Sequence, residues 1–174
     1  VNEGACGPEG QMQKGVHHIG LATHDMEATL EFYEKVLGFR ARVCEMPGTG
    51  ENGAIRHAFL DVGRGQMISF MEPNDVPGVP ADFDCGINRG LGIGGGMIHF
   101  AFWCDDELEL EAKQAELRGL GVEVTQLVDH GWCKSIYFKD PNQIQLEYCC
   151  YRGELDESHL AGRDSEAWTA LARR

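Results

Sequence analysis

The sequence predicts an α+β fold of tandem βαβββ modules whose curved, mixed sheets form a cleft. Three observations support this. The chain repeats itself at an offset of 81 residues, each copy reads as a strand, a helix and three further strand-like runs, and a Gly/Pro-rich stretch separates the copies. Aligning His18-Ile19-Gly20-Leu21-Ala22 with His99-Phe100-Ala101-Phe102-Trp103 places Asp25 on Asp106 and Gly38 on Gly119.

Each module should open with a strand that leads into a helix with an Asp cap at its start and a Gly stop at its end. In the first helix Met26, Leu30, Tyr33 and Leu37 form one apolar stripe; in the second, Leu108, Ala112 and Ala115 form a weaker one. Strand-like runs follow at 39–45, 55–61 and 66–72 in the first copy, and at 122–128, 133–139 and 143–151 in the second. Turn signals separate them, among them Val62-Gly63-Arg64-Gly65 and Asp140-Pro141-Asn142. The expected organisation is an N-terminal extension at 1–14, a first module at 15–73, an inter-module loop at 74–96, a second module at 97–151 and a tail with a short helix at 152–174.

In the stretch 73–96, 10 of 24 residues are Gly or Pro, the composition of a linker or of a lid over a site. It contains Gly90-Leu91-Gly92-Ile93-Gly94-Gly95, a literal GxGxxG. A strand is expected after it, so no helix N-terminus would face a pyrophosphate, and the dinucleotide reading fails.

Composition narrows the function. A net charge of −13 over 174 residues disfavours nucleic acid and anionic membranes as partners. No apolar run approaches the ~20 residues that span a bilayer. The seven cysteines include no CxxC, which argues against zinc fingers and thioredoxin-like chemistry. The first 15 residues are polar and Gly-rich without an apolar h-region, so a cytoplasmic location is expected.

Strand alternation sorts the side chains. Ile19 and Leu21, Phe100 and Phe102, and Ile144 and Leu146 should cover the helices, which turns His18, His99 and Glu147 to equivalent opposite faces. Two imidazoles and one carboxylate suit Fe(II), Mn(II) or Zn(II) and leave coordination positions open. His18 and His99 share one repeat position, and Ser69 and Glu147 share another. The residues alone leave open a plainer alternative, two half-exposed histidines and a surface Glu. Trp103, Phe59, Met67 and Met71 suggest an apolar or aromatic ligand.

The chain resembles the vicinal oxygen chelate superfamily, which includes glyoxalase I, methylmalonyl-CoA epimerase, fosfomycin- and bleomycin-resistance proteins and extradiol dioxygenases. The resemblance is carried by Val16-His17-His18-Ile19-Gly20-Leu21 with Asp25 and Glu31-Phe32-Tyr33, by Met97-Ile98-His99-Phe100-Ala101-Phe102, and by Ser135 to Asn142 continuing through Glu147-Tyr148. It implies metal ligation by His18, His99 and Glu147. Glyoxalase I and the epimerase usually place a further Glu or Gln where this chain has Ser69. The match therefore leans toward dioxygenases and fosfomycin-resistance enzymes.

Val128-Asp129-His130, Ile136-Tyr137, Asp140-Pro141 and Glu147 resemble the extradiol signature, with Gln143 standing where that signature has Gly or Pro. The resemblance implies that Tyr137 hydrogen-bonds the substrate or its oxygenated intermediate and that His130 supports it. His57 is the candidate for the acid–base histidine that such enzymes usually carry on another strand. His17 and His24 are read as structural or solvated.

The leading expectation is an Fe(II)-dependent extradiol-type dioxygenase that uses O₂ on a catechol-like or other vicinal-oxygen small molecule, in a homodimer. One alternative is an isomerase, lyase or fosfomycin-type transferase using Mn(II), Zn(II) or Ni(II), with Glu51 resembling the epimerase base. Another is a bleomycin-resistance-type binding protein without metal.

Overall fold

The structure is a computed structural model that describes residues 15–48 and 53–171. Its backbone divides into two compact units. The first holds the described residues through Met97 together with Asp140–Ile144; the second holds Ile98–Lys139 and the residues from Gln145 onward. The turn Asp140–Ile144, expected within the second module, thus groups with the first.

The first unit opens with β1 (His18–Ala22) and α1 (Met26–Glu31), the helix being extended by a π-helical turn over Phe32–Val36. Strands β2 (Arg40–Glu45), β3 (Ala54–Gly63) and β4 (Gln66–Asn74) follow, in the sheet order β1-β4-β3-β2. β1 runs parallel to β4, and the other pairs are antiparallel. The Asp25 carboxylate accepts from the Ala28 amide at 2.9 Å, the expected cap. Of the expected stripe, Met26, Tyr33 and Leu37 are buried, as are Leu21, Ala58, Leu60, Ile68 and Phe70 of the sheet, whereas Leu30 is only half-buried. Gly38 ends the element at φ +75°, a conformation that a Cβ would disfavour.

After a single helical turn, α2 (Ile87–Gly90), the second unit begins with β5 (Phe100–Trp103). Helix α3 (Glu107–Gly119), β6 (Val128–Asp129), β7 (Cys133–Lys139) and β8 (Gln145–Tyr151) complete its sheet, ordered β5-β8-β7-β6. The topology repeats that of the first unit, with β5 parallel to β8. A 3-10 helix (Glu157–Asp164) and α4 (Glu166–Leu171) form the helical tail. No helix follows the GxGxxG stretch before β5, as expected. No described helix is long and apolar enough to cross a membrane.

Three expectations for the second unit are corrected. The buried face of α3 is Leu110 and Leu117, whereas Leu108 is 75% exposed and Ala112 and Ala115 face solvent. Leu110 and Leu117 are seven residues apart, two helical turns, and their larger side chains reach the sheet where the alanines do not. The helix stop is Gly121 at φ +81°, not Gly119, with Val122 N donating to Leu117 O. Finally, the strand expected at 122–128 pairs only at Val128–Asp129. Gln114 Nε2 and Arg118 Nη2 of α3 take the Thr125 carbonyl at 2.7 and 3.0 Å, satisfying backbone that would otherwise seek a ladder.

Candidate functional site

Register places the chemistry. Gly20 pairs with Ser69 and Phe59 with Ser69 in the first unit; Ala101 pairs with Glu147 and Tyr137 with Glu147 in the second. Ser69 and Glu147 therefore occupy the same rung of the repeated sheet, and Phe59 is the counterpart of Tyr137.

In the second unit, His99 lies one residue before β5 and its Nε2 is 3.0 Å from Glu147 Oε2. Glu147 is only 4% exposed, whereas His99 is more open to solvent. Across the rung, the Tyr137 ring stands edge-on to His99 with centroids 6.0 Å apart. The Tyr137 hydroxyl is 2.9 Å from His130 Nε2. Burial pushes the Tyr137 phenol up; a hydrogen bond with Ser135 opposes this and the Glu147 charge adds to it. The phenol is thus held protonated, a donor rather than an anion. His99, Glu147, Tyr137 and His130 form one polar strip on the sheet face away from α3.

In the first unit, the His18 ring is edge-on to Phe59, which in turn packs on His57 with centroids 4.3 Å apart. His18 Nδ1 is 2.8 Å from His17 Nδ1, so Nε2 is the nitrogen that His18 offers to a ligand. His57 Nδ1 lies 3.2 Å from Glu45 Oε1, while its Nε2 is buried without a hydrogen-bond partner among the described residues. Ser69 is buried and its hydroxyl donates to the Ile19 carbonyl at 3.4 Å, as befits a packing residue. His24 Nε2 meets the Phe83 carbonyl at 2.6 Å, and the exposed His17 ring meets His18. Glu51 lies outside the described residues.

The donor set suits a divalent ion. Two ligands at right angles around an ion at ~2.1 Å stand about 3 Å apart, the spacing of His99 Nε2 and Glu147 Oε2. Within either unit by itself, no three described His, Cys, Asp or Glu side chains converge at metal-holding distance. The His99–Glu147 pair therefore needs further donors from outside it.

Sequence reasoning missed a buried network in the first unit. Asp140, 2% exposed, accepts from Tyr33 Oη at 3.2 Å, from Asn142 Nδ2 at 3.0 Å and from the Ile144 amide at 2.8 Å. Asn142 also accepts from Thr23 Oγ1 and donates to Thr29 Oγ1. Burial pushes the Asp140 carboxyl up from its ordinary value of 3.8. The Asp-Pro-Asn turn was visible as a turn, but nothing local announced that Tyr33 and Thr29 would meet it. Gln143 in the same turn takes φ +65°, which explains why a Gly suits this position.

A repeated four-stranded sheet of this order is that of the vicinal oxygen chelate fold. The chain belongs to the Glyoxalase/Bleomycin resistance protein/Dioxygenase superfamily, whose family model matches residues 15–148. It is similar to the "Putative ring-cleaving dioxygenase MhqA" of Bacillus subtilis, with 26% identity over 140 residues that cover 80% of this chain and 40% of that protein. The chain thus spans about two fifths of that curated relative. Among solved structures, a glyoxylase/bleomycin resistance protein/dioxygenase domain from Frankia sp. EAN1pec aligns with TM-score 0.58 at 22% identity, covering 79% of this chain and 98% of the other. The fosfomycin resistance protein FosX of Listeria monocytogenes aligns with TM-score 0.56 at 22% identity, covering 84% and 98% respectively. These two establish the fold.

Proposed function

We propose that the chain is a metal-dependent dioxygenase of the extradiol type, acting on a small molecule with two vicinal oxygens, and that His18, His99 and Glu147 hold its divalent ion, Fe(II). The observation that carries this reading is the His99–Glu147 pair, a buried carboxylate and an open imidazole at ligand spacing, with the Tyr137–His130 pair on the same face. The similarity to a ring-cleaving relative supports the reaction class. The equivalence of His18 and His99 in the repeat supports the third ligand.

The bound ion would supply Lewis acidity toward adjacent substrate oxygens and the redox chemistry that cleavage by O₂ needs. The chain's own residues do the rest. Tyr137 donates a hydrogen bond from a phenol that stays protonated, and His130 Nε2 holds that hydroxyl in place. His57, oriented through Nδ1 by Glu45, has the arrangement of a base held by a carboxylate, and its buried Nε2 would take a substrate hydroxyl proton once substrate binding uncovers it.

The test is oxygen uptake by the Fe(II)-loaded chain with a panel of catechols, alongside Glu147→Gln and His57→Ala. One O₂ consumed per ring opened, lost in Glu147→Gln and slowed in His57→Ala, supports the reading. Turnover of a non-aromatic vicinal-oxygen substrate without O₂ uptake, with Mn(II), Zn(II) or Ni(II), overturns it in favour of an isomerase, lyase or transferase. Ligand binding unaffected by Glu147→Gln, without any metal, points to a binding protein.

A further inference from the structure

Beyond the His99–Glu147 end, the same sheet face of the second unit continues toward the end of β8. Glu147, Cys149 and Tyr151 alternate along that face, with Ala101 and Trp103 beside them on β5 and Tyr137, Ser135 and Cys133 on β7. The rungs between Glu147 and Tyr151 carry only a thiol, hydroxyls and apolar groups. Lys134 turns to the other face, where it pairs with Glu107 of α3. At the far end three large rings gather. Tyr151 meets Trp103 edge-on at 4.8 Å between centroids and meets Trp132 at a tilt of 49° and 5.8 Å. They are nonetheless 38%, 49% and 46% exposed respectively. The first unit has nothing comparable, since the register puts Ala22 and Pro73 where the second has Trp103 and Tyr151.

We infer that this aromatic wall is a specificity subsite, and that the substrate carries an uncharged planar arm that lies along the face and ends against Trp103, Tyr151 and Trp132. The inference rests on the proposed placement of the vicinal oxygens at His99 and Glu147. Four residues of strand separate Glu147 from Tyr151, or about 13 Å at ~3.3 Å per residue. A single ring held at Glu147 does not reach that far; a ring bearing an aryl arm does. The small side chains of Ala101 and Cys149 leave the floor low beside the buried Ser135, and the absence of charge on these rungs selects a neutral arm. The edge-on Trp103–Tyr151 pair leaves a ring face open to stack on a flat guest. Continuity with the polar strip favours one extended small molecule over a protein partner.

The experiment is titration of the full chain, without oxygen and with or without Zn(II), using catechol, 4-phenylcatechol and 4-phenylphenol, read by calorimetry and tryptophan fluorescence. In the wild type, 4-phenylcatechol should bind at least about tenfold tighter than catechol. Trp103→Ala and Tyr151→Ala should erase that gain while leaving catechol unchanged, and Trp103→Phe should keep most of it. A phenyl arm that adds nothing in the wild type overturns the subsite, as does a gain that survives both alanine variants. Alanine variants that sediment as smaller species than the wild type also overturn it, because the wall is then a contact between copies. Binding of 4-phenylphenol through the wall, with no gain from Zn(II) for either diol, keeps the subsite and sinks the metal-site reading. Zn(II)-dependent diol binding with no phenyl gain does the reverse.

Discussion

At the rung where the first strand of each unit meets the last, the first unit holds Gly20, Ser69 and Phe59, and the second holds Ala101, Glu147 and Tyr137. The histidine two residues before that rung is common to both, at His18 and His99. A single backbone design thus presents an imidazole twice but a carboxylate and a phenol once. Asp140 in the first unit and Glu147 in the second are both buried carboxylates, and their surroundings differ. Asp140 in the first is enclosed by three donors from its own neighbourhood, so its hydrogen bonds serve the fold. Glu147 in the second sits on an open sheet face with a half-exposed imidazole for a partner, so its charge is available to a ligand. Burial of a carboxylate does not by itself mark function; what its partners leave unsatisfied does.

The strongest way to break this comparison is to copy the first unit's rung into the second. Glu147→Ser should remove metal and lower ring-cleavage turnover by more than about 1,000-fold, as measured by metal analysis and oxygen uptake. Asp140→Ala should instead leave metal ligation intact and cost roughly 3 kcal/mol of stability, because three donors lose a buried acceptor; urea unfolding measures it.

The sign of the pH effect sharpens the contrast. The folded Asp140 carboxyl holds its proton more tightly than the unfolded chain does. Its contribution is therefore fully present below the ordinary value of 3.8 and is lost as pH rises through the raised folded value. Asp140→Asn should flatten the stability profile just above that point.

Tyr137→Phe, which recreates Phe59's side chain, should keep the metal but slow turnover by about 100-fold, a loss in kcat rather than in metal content. The smallest effect is expected at Gln143→Gly, which relieves a left-handed residue and should stabilise the chain by about 0.5–1 kcal/mol, read as a rise in Tm.

Much of this was legible from the repeat. The Asp caps and the opening strands follow from the 81-residue offset, and the faces of Ser69 and Glu147 on the last strands follow from alternation, because a period of two fixes faces once one apolar pair is known. What local pattern misjudged lay in the second module. Weak alanine periodicity at Ala112 and Ala115 pointed to the wrong face of α3, since small side chains carry little burial energy and Leu110 and Leu117 decide the packing. The segment 122–128 read as a strand, but side chains of α3 had taken the Thr125 carbonyl. The Asp140 network was illegible because Tyr33 and Asp140 lie 107 residues apart. The aromatic wall was half visible: Trp103 stood out by alternation, while Trp132 and Tyr151 join it only through sheet register.

The central claim is that one divalent ion is held by the repeated histidines and the single carboxylate. Metal content per chain, after purification without oxygen and reconstitution with Fe(II), tests it most directly in the wild type, His18→Ala and His99→Ala. The account predicts one iron per wild-type chain and its loss in both variants. Iron retained by His18→Ala at wild-type occupancy, or none taken up by the wild type, would contradict it.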